Sequence, residues 1–240
     1  MICFMLKRSE IQSALVSEVI FTYNKDWFDR HKCVSHCNLR DLHVILDILD
    51  PKPNENILDV GCGLGRLSYP ISLKGARVTG VDISKHAIAE ARAAYKKIRN
   101  LHFVCMNALA MSYSGCFDKA ICIHMLEHLS FQSGIRVLSR IWDALRHGGV
   151  LVLGVPINDF EFHRRLLRFI VTGKQWREST HEVSFSLKMI NHLVRETGFC
   201  IVCQETVSIQ GLKLGKLSLF PVVGNVLTMG TYLKAKKTEK

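Results

Sequence analysis

Short apolar runs alternate along this chain with stretches of helical periodicity, and that alternation leaves few folds open to it. Ile57-Leu58-Asp59-Val60, Arg77 to Val81, Leu101 to Cys105, Phe117 to Ile123 and Val150-Leu151-Val152-Leu153 read as strands that are apolar almost throughout. Between them, Arg66 to Lys74, Lys85 to Ile98 and the stripe Ile135, Leu138, Ile141, Trp142 and Leu145 carry helical spacing, with Gly75 and Gly148-Gly149 as stops. Strands of that composition need cover on both faces, which predicts an α/β fold with a parallel sheet between helices. Leu187 to Thr197 reads as a further helix, and Phe199 to Val207 and Thr231 to Lys236 as closing strands.

At 240 residues the chain has room for one such domain, expected over 51–240, after an N-terminal helical segment over 1–50 that ends at Asp50-Pro51-Lys52-Pro53. Hydrophobic residues make up 48% and charged residues 22%, which excludes disorder. No apolar run reaches 18 residues, so a membrane span is not expected. The nine cysteines are odd in number, and several, such as Cys105 and Cys122, sit inside apolar runs, as reduced, buried cysteines of a cytoplasmic protein do. His31, Cys33, His36 and Cys37, and the pair Cys200/Cys203, lack zinc-ribbon spacing, so no metal is expected there.

Chemistry enters at Asp59-Val60-Gly61-Cys62-Gly63-Leu64-Gly65, a glycine turn between strand and helix that lets a ligand approach backbone N–H groups. Arg66 stands where a dinucleotide-binding turn needs its third glycine, which argues against a pyrophosphate. One strand later, Asp82 ends Val78-Thr79-Gly80-Val81-Asp82-Ile83 at the distance expected of an acid that accepts ribose hydroxyls. Together these features predict a nucleoside ligand.

Ile57 to Leu67 resembles motif I of the class I S-adenosylmethionine-dependent methyltransferases, and Val78 to Ser84 their second motif. Phe117-Asp118-Lys119-Ala120-Ile121-Cys122 and Leu145-Arg146-His147-Gly148-Gly149-Val150-Leu151 look like that family's fourth strand and the turn into its fifth. The resemblance implies a Rossmann-like, seven-stranded, mostly parallel sheet with the last strand antiparallel, and S-adenosyl-L-methionine as cofactor. It implies that Gly61, Gly63 and Gly65 line the methionine part, that Asp82 holds the ribose, and that Ile83 packs on adenine. Asn107-Ala108 stands where the family has Asp-Ala, and its amide oxygen would accept from the adenine amino group. Asp59 and Ile123 border the same site, and Arg40, in Asn38-Leu39-Arg40, would meet the cofactor carboxylate.

Within the class, Cys122-Ile123-His124-Met125-Leu126-Glu127-His128 and Thr180-His181 look most like the ubiquinone-biosynthesis O-methyltransferases. Those enzymes place magnesium on Glu-x-x-Glu-His; the first position here is His124, a poor magnesium ligand, so no metal is expected. His-x-x-Glu-His also fits an inverted zinc-protease pattern, but it starts at the end of a buried strand, the wrong context for that enzyme. His124 or His128 is the candidate general base, while Glu127-His128 can equally brace the loop against the sheet.

The net charge of +11 is concentrated late: residues 161–240 hold 13 basic and 6 acidic side chains. Phe162 to Arg177 contains no acid and mixes Arg164, Arg165, Arg168, Lys174 and Arg177 with Leu166, Leu167, Phe169 and Ile170. This window belongs to a basic lid insertion expected at about 156–185. It reads as a peripheral contact for an anionic membrane, or as an ordinary solvated helix. No RNA-binding module or aromatic platform is visible, so nucleic acid is not expected as a partner. The expected function is methyl transfer to oxygen of a small or lipid-like acceptor. A non-catalytic, cofactor-binding regulator and a methyltransferase acting on RNA or protein stay open beside it.

Overall fold

The computed structural model describes residues 39–157, 182–208 and 228–238. Helix α1 (Leu39–Leu49) precedes β1 (Asn56–Val60), α2 (Ser68–Ser72), β2 (Arg77–Asp82), α3 (Lys85–Ala94), β3 (Leu101–Cys105) and β4 (Phe117–Ile123). Then come α4 (Phe131–Ala144), β5 (Leu145–Pro156), α5 (Leu187–Glu196), β6 (Phe199–Ser208) and β7 (Thr228–Lys237). The seven strands form one sheet in the order β3-β2-β1-β4-β5-β7-β6. The β1–β2, β1–β4, β2–β3 and β4–β5 pairs are parallel, and β7 runs antiparallel to both neighbours, as expected. Of the N-terminal helical segment, 39–49 is described and helical; of the basic insertion, 158–181 lies outside the described residues.

Strand residues alternate between two apolar cores, one on each face of the sheet. Leu58, Val60, Ala120, Cys122 and Leu151 pack with Val137, Leu138 and Ile141 of α4 and Ile190, Leu193 and Val194 of α5. Ile57, Val78, Ile121 and Val152 point the other way, onto Val44, Ile45 and Leu49 of α1, Ile71 of α2 and Ile88 of α3. Doubly covered strands of this kind account for the nearly continuous apolar runs.

Some details differ from what the sequence predicts. Gly148 and Gly149 do not stop a helix: α4 ends at Ala144, and Gly148, at φ +70°, lies in an irregular stretch at the start of β5, where Phe117 pairs with Leu145 and Lys119 with Val150. Cys105, the last residue of β3, is exposed rather than buried, and among the described residues only Cys62 and Cys122 are buried thiols. The register of β6 against β7 shifts between Ile201 and Cys203, so strict alternation fails there, and both Cys200 and Cys203 are exposed.

Candidate functional site

Strand order reverses between β1 and β4: from β1 the chain steps out to β2 and β3, then returns to the other side of β1 as β4. In open α/β sheets a ligand crevice lies beyond the carboxyl ends of the strands at such a switch. The glycine turn leaves β1 on one side of it, and His124 leaves β4 on the other.

The turn is built by residues that tolerate left-handed backbone. Gly61, Gly63 and Gly65 have φ of +78°, +52° and +75°, values that strain any side-chain-bearing residue. Gly61 and Cys62 donate their N–H groups to the Val81 carbonyl at 2.8 and 3.1 Å, which fastens the turn to the end of β2. A Cβ on Gly65 would collide with the ring of Phe103, so the third glycine provides close packing on β3, although the sixth position of the turn is Arg66.

Asp82 lies beside that turn. Its Oδ2 accepts from the Gly63 N–H at 2.9 Å and its Oδ1 from the Ser84 N–H at 2.8 Å. Burial pushes its pKa up, and the backbone N–H groups of Ser84, Gly63 and Ile83 partly oppose this. Each carboxylate oxygen keeps a lone pair for a further donor, so two adjacent hydroxyls can be held together. Behind the turn, Asp59 is buried and accepts from the Ser68 hydroxyl at 2.5 Å. Desolvation raises its pKa to about 7 against that hydrogen bond, and the nearby Asp82 charge adds to the rise. Asp59 therefore braces the turn from beneath, through a serine that the sequence reading did not single out.

The remaining predicted residues border the same end of the sheet. Ile83 follows Asp82 and is half-buried. Asn107 caps a short 3-10 turn, Ala108–Ala110, its Oδ1 accepting from the Leu109 N–H at 2.9 Å; Ala108 is buried behind it. Ile123 ends β4 in the core. Arg40 lies in the first turn of α1, and its side chain is not among those described. Asn38, Thr180 and His181 lie outside the described residues.

The His-x-x-Glu-His segment is not helical. His124 is left-handed at φ +53°, with its N–H held by the Gly154 carbonyl at 2.9 Å, and Leu126–His128 forms one 3-10 turn. His124 Nδ1 lies 3.4 Å from Glu127 Oε1, and its Nε2 lies 3.4 Å from the Tyr232 hydroxyl of β7. Glu127 is buried, and its main-chain oxygen accepts from the N–H groups of Glu182 and Val183 at 2.9 and 3.1 Å. The bracing role expected of this segment is therefore present. Among the described residues no three His, Cys, Asp or Glu side chains group as a metal site, and His124 and Glu127 face each other rather than a shared centre. The magnesium set of the O-methyltransferases does not fit here. Tyr232 is the neighbour that the sequence did not reveal.

Residues 57–149 match a family described as a methyltransferase domain. Among curated proteins, trans-aconitate 2-methyltransferase of Deinococcus radiodurans is 29% identical over 146 residues, 61% of this chain and 54% of that protein. A ubiquinone biosynthesis O-methyltransferase of Albidiferax ferrireducens is 38% identical over 85 residues, 34% of each. The chain thus spans about half of the first relative's length and a third of the second's. Among solved structures, magnesium protoporphyrin IX methyltransferase of Synechocystis PCC 6803 superposes with a TM-score of 0.69 at 18% identity, covering 92% of this chain and 99% of that one. Sheet order and glycine turn agree with the match of residues 57–149 to a methyltransferase domain, and together they support the resemblance to the class I S-adenosylmethionine-dependent methyltransferases.

Proposed function

We propose that the protein transfers a methyl group from S-adenosylmethionine to an oxygen of a small or lipid-like acceptor of quinone-precursor type. The observation that carries this reading is the Asp82 carboxylate, held by two main-chain N–H groups with a lone pair left on each oxygen for a ribose hydroxyl. Gly61, Gly63 and Gly65 leave the backbone bare for the methionine part. Ile83, Ala108 and Asn107 border the adenine side, and Asn107 Oδ1 keeps its second lone pair for the amino group. The choice of oxygen rests on the resemblance to ubiquinone biosynthesis O-methyltransferases.

The cofactor supplies a methyl already activated on a sulfonium. The chain's residues have to bind it, hold the acceptor in line with it and keep water out. A hydroxyl acceptor also has to lose its proton, and His124 and His128 stand at the end of β4 to take it. We place the protein in the cytoplasm, with a peripheral contact to anionic membrane through the basic window.

The test uses calorimetry and label transfer together. S-adenosylhomocysteine should bind, and tritium from methyl-labelled S-adenosylmethionine should enter the lipid or small-molecule fraction of a cell extract. Label in the protein or RNA fraction would reassign the acceptor. Binding with no label anywhere would make the protein a cofactor-binding regulator.

A further inference from the structure

The Glu127 main-chain oxygen does the bracing, which leaves its buried carboxylate without a part in it. The residue is 1% exposed, its Oε1 faces His124 Nδ1 at 3.4 Å, and its Oε2 is buried with no hydrogen-bond partner among the described residues. An unanswered buried oxygen on a carboxylate is costly, and such exceptions call for a functional reason. His124 carries a second cost, a left-handed backbone that side-chain-bearing residues seldom adopt. Both sit on the short link that leaves β4 at the switch point. Opposite them, Tyr232 is seated by Gly154, its register partner on β5; a Cβ there would lie 2.7 Å from the tyrosine ring.

We propose that Glu127 is a positioning residue that makes His124 Nε2 the base for the acceptor hydroxyl, with Tyr232 steadying the ring across the sheet. The proposal rests on the methyl-transfer reading above. An ionised carboxylate beside Nδ1 requires the proton on Nδ1, so the lone pair of the neutral ring lies on Nε2. The Tyr232 hydroxyl donates to it at 3.4 Å, a long contact that an acceptor hydroxyl displaces. In the reaction the acceptor C–O bond forms as the methyl–sulfur bond breaks, and that electron pair stays on sulfur. The acceptor proton moves to Nε2. The positive charge lost from sulfur thus reappears on the imidazolium, beside the Glu127 carboxylate. Burial pushes the Glu127 pKa up, but the hydrogen bond and charge of His124, with His128 behind, hold it below its ordinary value. Among the described residues, Tyr232 on β7 and Cys122 on β4 are further titratable groups beside the pair.

The test is ring-nitrogen NMR of the full-length, 15N-labelled protein between pH 5 and 9, with His124 assigned by its loss in His124→Gln. The neutral ring should carry its proton on Nδ1. In Glu127→Gln, which keeps the carboxylate's shape, the imidazolium should be about tenfold less favoured at a given pH, one unit in its titration midpoint. A ring protonated on Nε2, or a midpoint unmoved by the substitution, overturns the proposal. Tritium transfer into the fraction labelled by the wild type should fall about 100-fold in Glu127→Gln, with its acid limb moved to lower pH. Wild-type rates at pH 6 and 8 in that variant would also overturn it. Failure of the wild type to bind S-adenosylhomocysteine sinks the cofactor reading instead, and leaves the ring titration to decide the pair.

Discussion

Asp82 and Asp59 stand on adjacent strands, both with pKa raised by burial, but with different hydrogen-bond donors against it. Asp82 is held by main-chain N–H groups and keeps lone pairs for a ligand, so Asp82→Ala removes charge-assisted bonds to two ribose hydroxyls. The loss should be about 1.5–3 kcal/mol, a 10- to 150-fold weaker Kd for S-adenosylhomocysteine by calorimetry. Unchanged affinity would remove Asp82 from the site. Asp59 has only the Ser68 hydroxyl against full burial, and its pKa rises to about 7 from 3.8. A folded-state pKa above the unfolded one means that the native protein binds more protons between those values, so stability falls as pH rises through that window. Asp59 alone contributes a decline of about 1.4 kcal/mol per pH unit from roughly pH 5 to 7, flattening above. Urea unfolding across pH 5–8 should show that slope reduced in Asp59→Asn; equal slopes in both proteins would refute it. The glycines and both acids were legible in the sequence because their partners lie within about twenty residues along a strand–turn–helix–strand unit. Tyr232 was not, because it meets His124 across 108 residues through a strand pairing that local periodicity does not encode.

Helix starts show how much of an element is written locally. Ser84, Ser130 and Ser186 sit just before α3, α4 and α5, each with its hydroxyl oxygen accepting a main-chain N–H from the first turn, from Ala87, Ser133 and Met189. Ser186 also begins the return of the chain into the sheet region, so Ser186→Ala should cost about 1 kcal/mol of unfolding free energy, with no change in cofactor affinity. Chemical denaturation and calorimetry on the same variant separate the two, and a variant as stable as wild type would deny the cap its role. Strand positions were read closely where apolar runs are continuous: β3 and β4 have the bounds expected. Helical spacing overruns the helices themselves: α2 covers Ser68–Ser72 and α3 stops at Ala94, though apolar spacing continues past both. Periodicity marks which face is buried, whereas hydrogen-bond geometry ends the helix, and here turns take over before Gly75 and before Leu101. The β5 irregularity escaped for a related reason. A glycine pair after a helical stripe reads as a stop, while here the same glycines let a strand begin immediately after α4.

At the scale of the molecule, the distribution of charge around the site leads to the last prediction. The window 162–177 holds five Lys and Arg residues and no acid, among them the apolar Phe162, Leu166, Leu167, Phe169, Ile170 and Trp176. Its own placement lies outside the described residues, but the chain on either side of it is fixed: Ile157 bridges to Phe185, and Glu182 and Val183 bond to the Glu127 carbonyl. Both flanks therefore return to the carboxyl end of β4 and β5, beside His124. A surface that holds the window would also hold the switch-point crevice close, which suits an acceptor dissolved in the bilayer. Each basic residue near an anionic surface contributes about 1 kcal/mol, so five give a few kcal/mol before orientation and ordering costs, which suffices for weak, salt-sensitive adsorption. No helix among the described residues is long and apolar enough to cross a membrane, so surface charge and shallow insertion have to supply the binding. Sedimentation with vesicles containing anionic lipid should carry down the protein at low salt, lose it at high salt, and lose it again when Arg164, Arg165 and Arg168 are changed to Gln. Cofactor affinity should not move in that variant, because the glycine turn and Asp82 stand on β1 and β2, on the other side of the switch. Binding that ignores lipid charge and salt, or its absence, would assign the window to solvent and the acceptor to the aqueous phase.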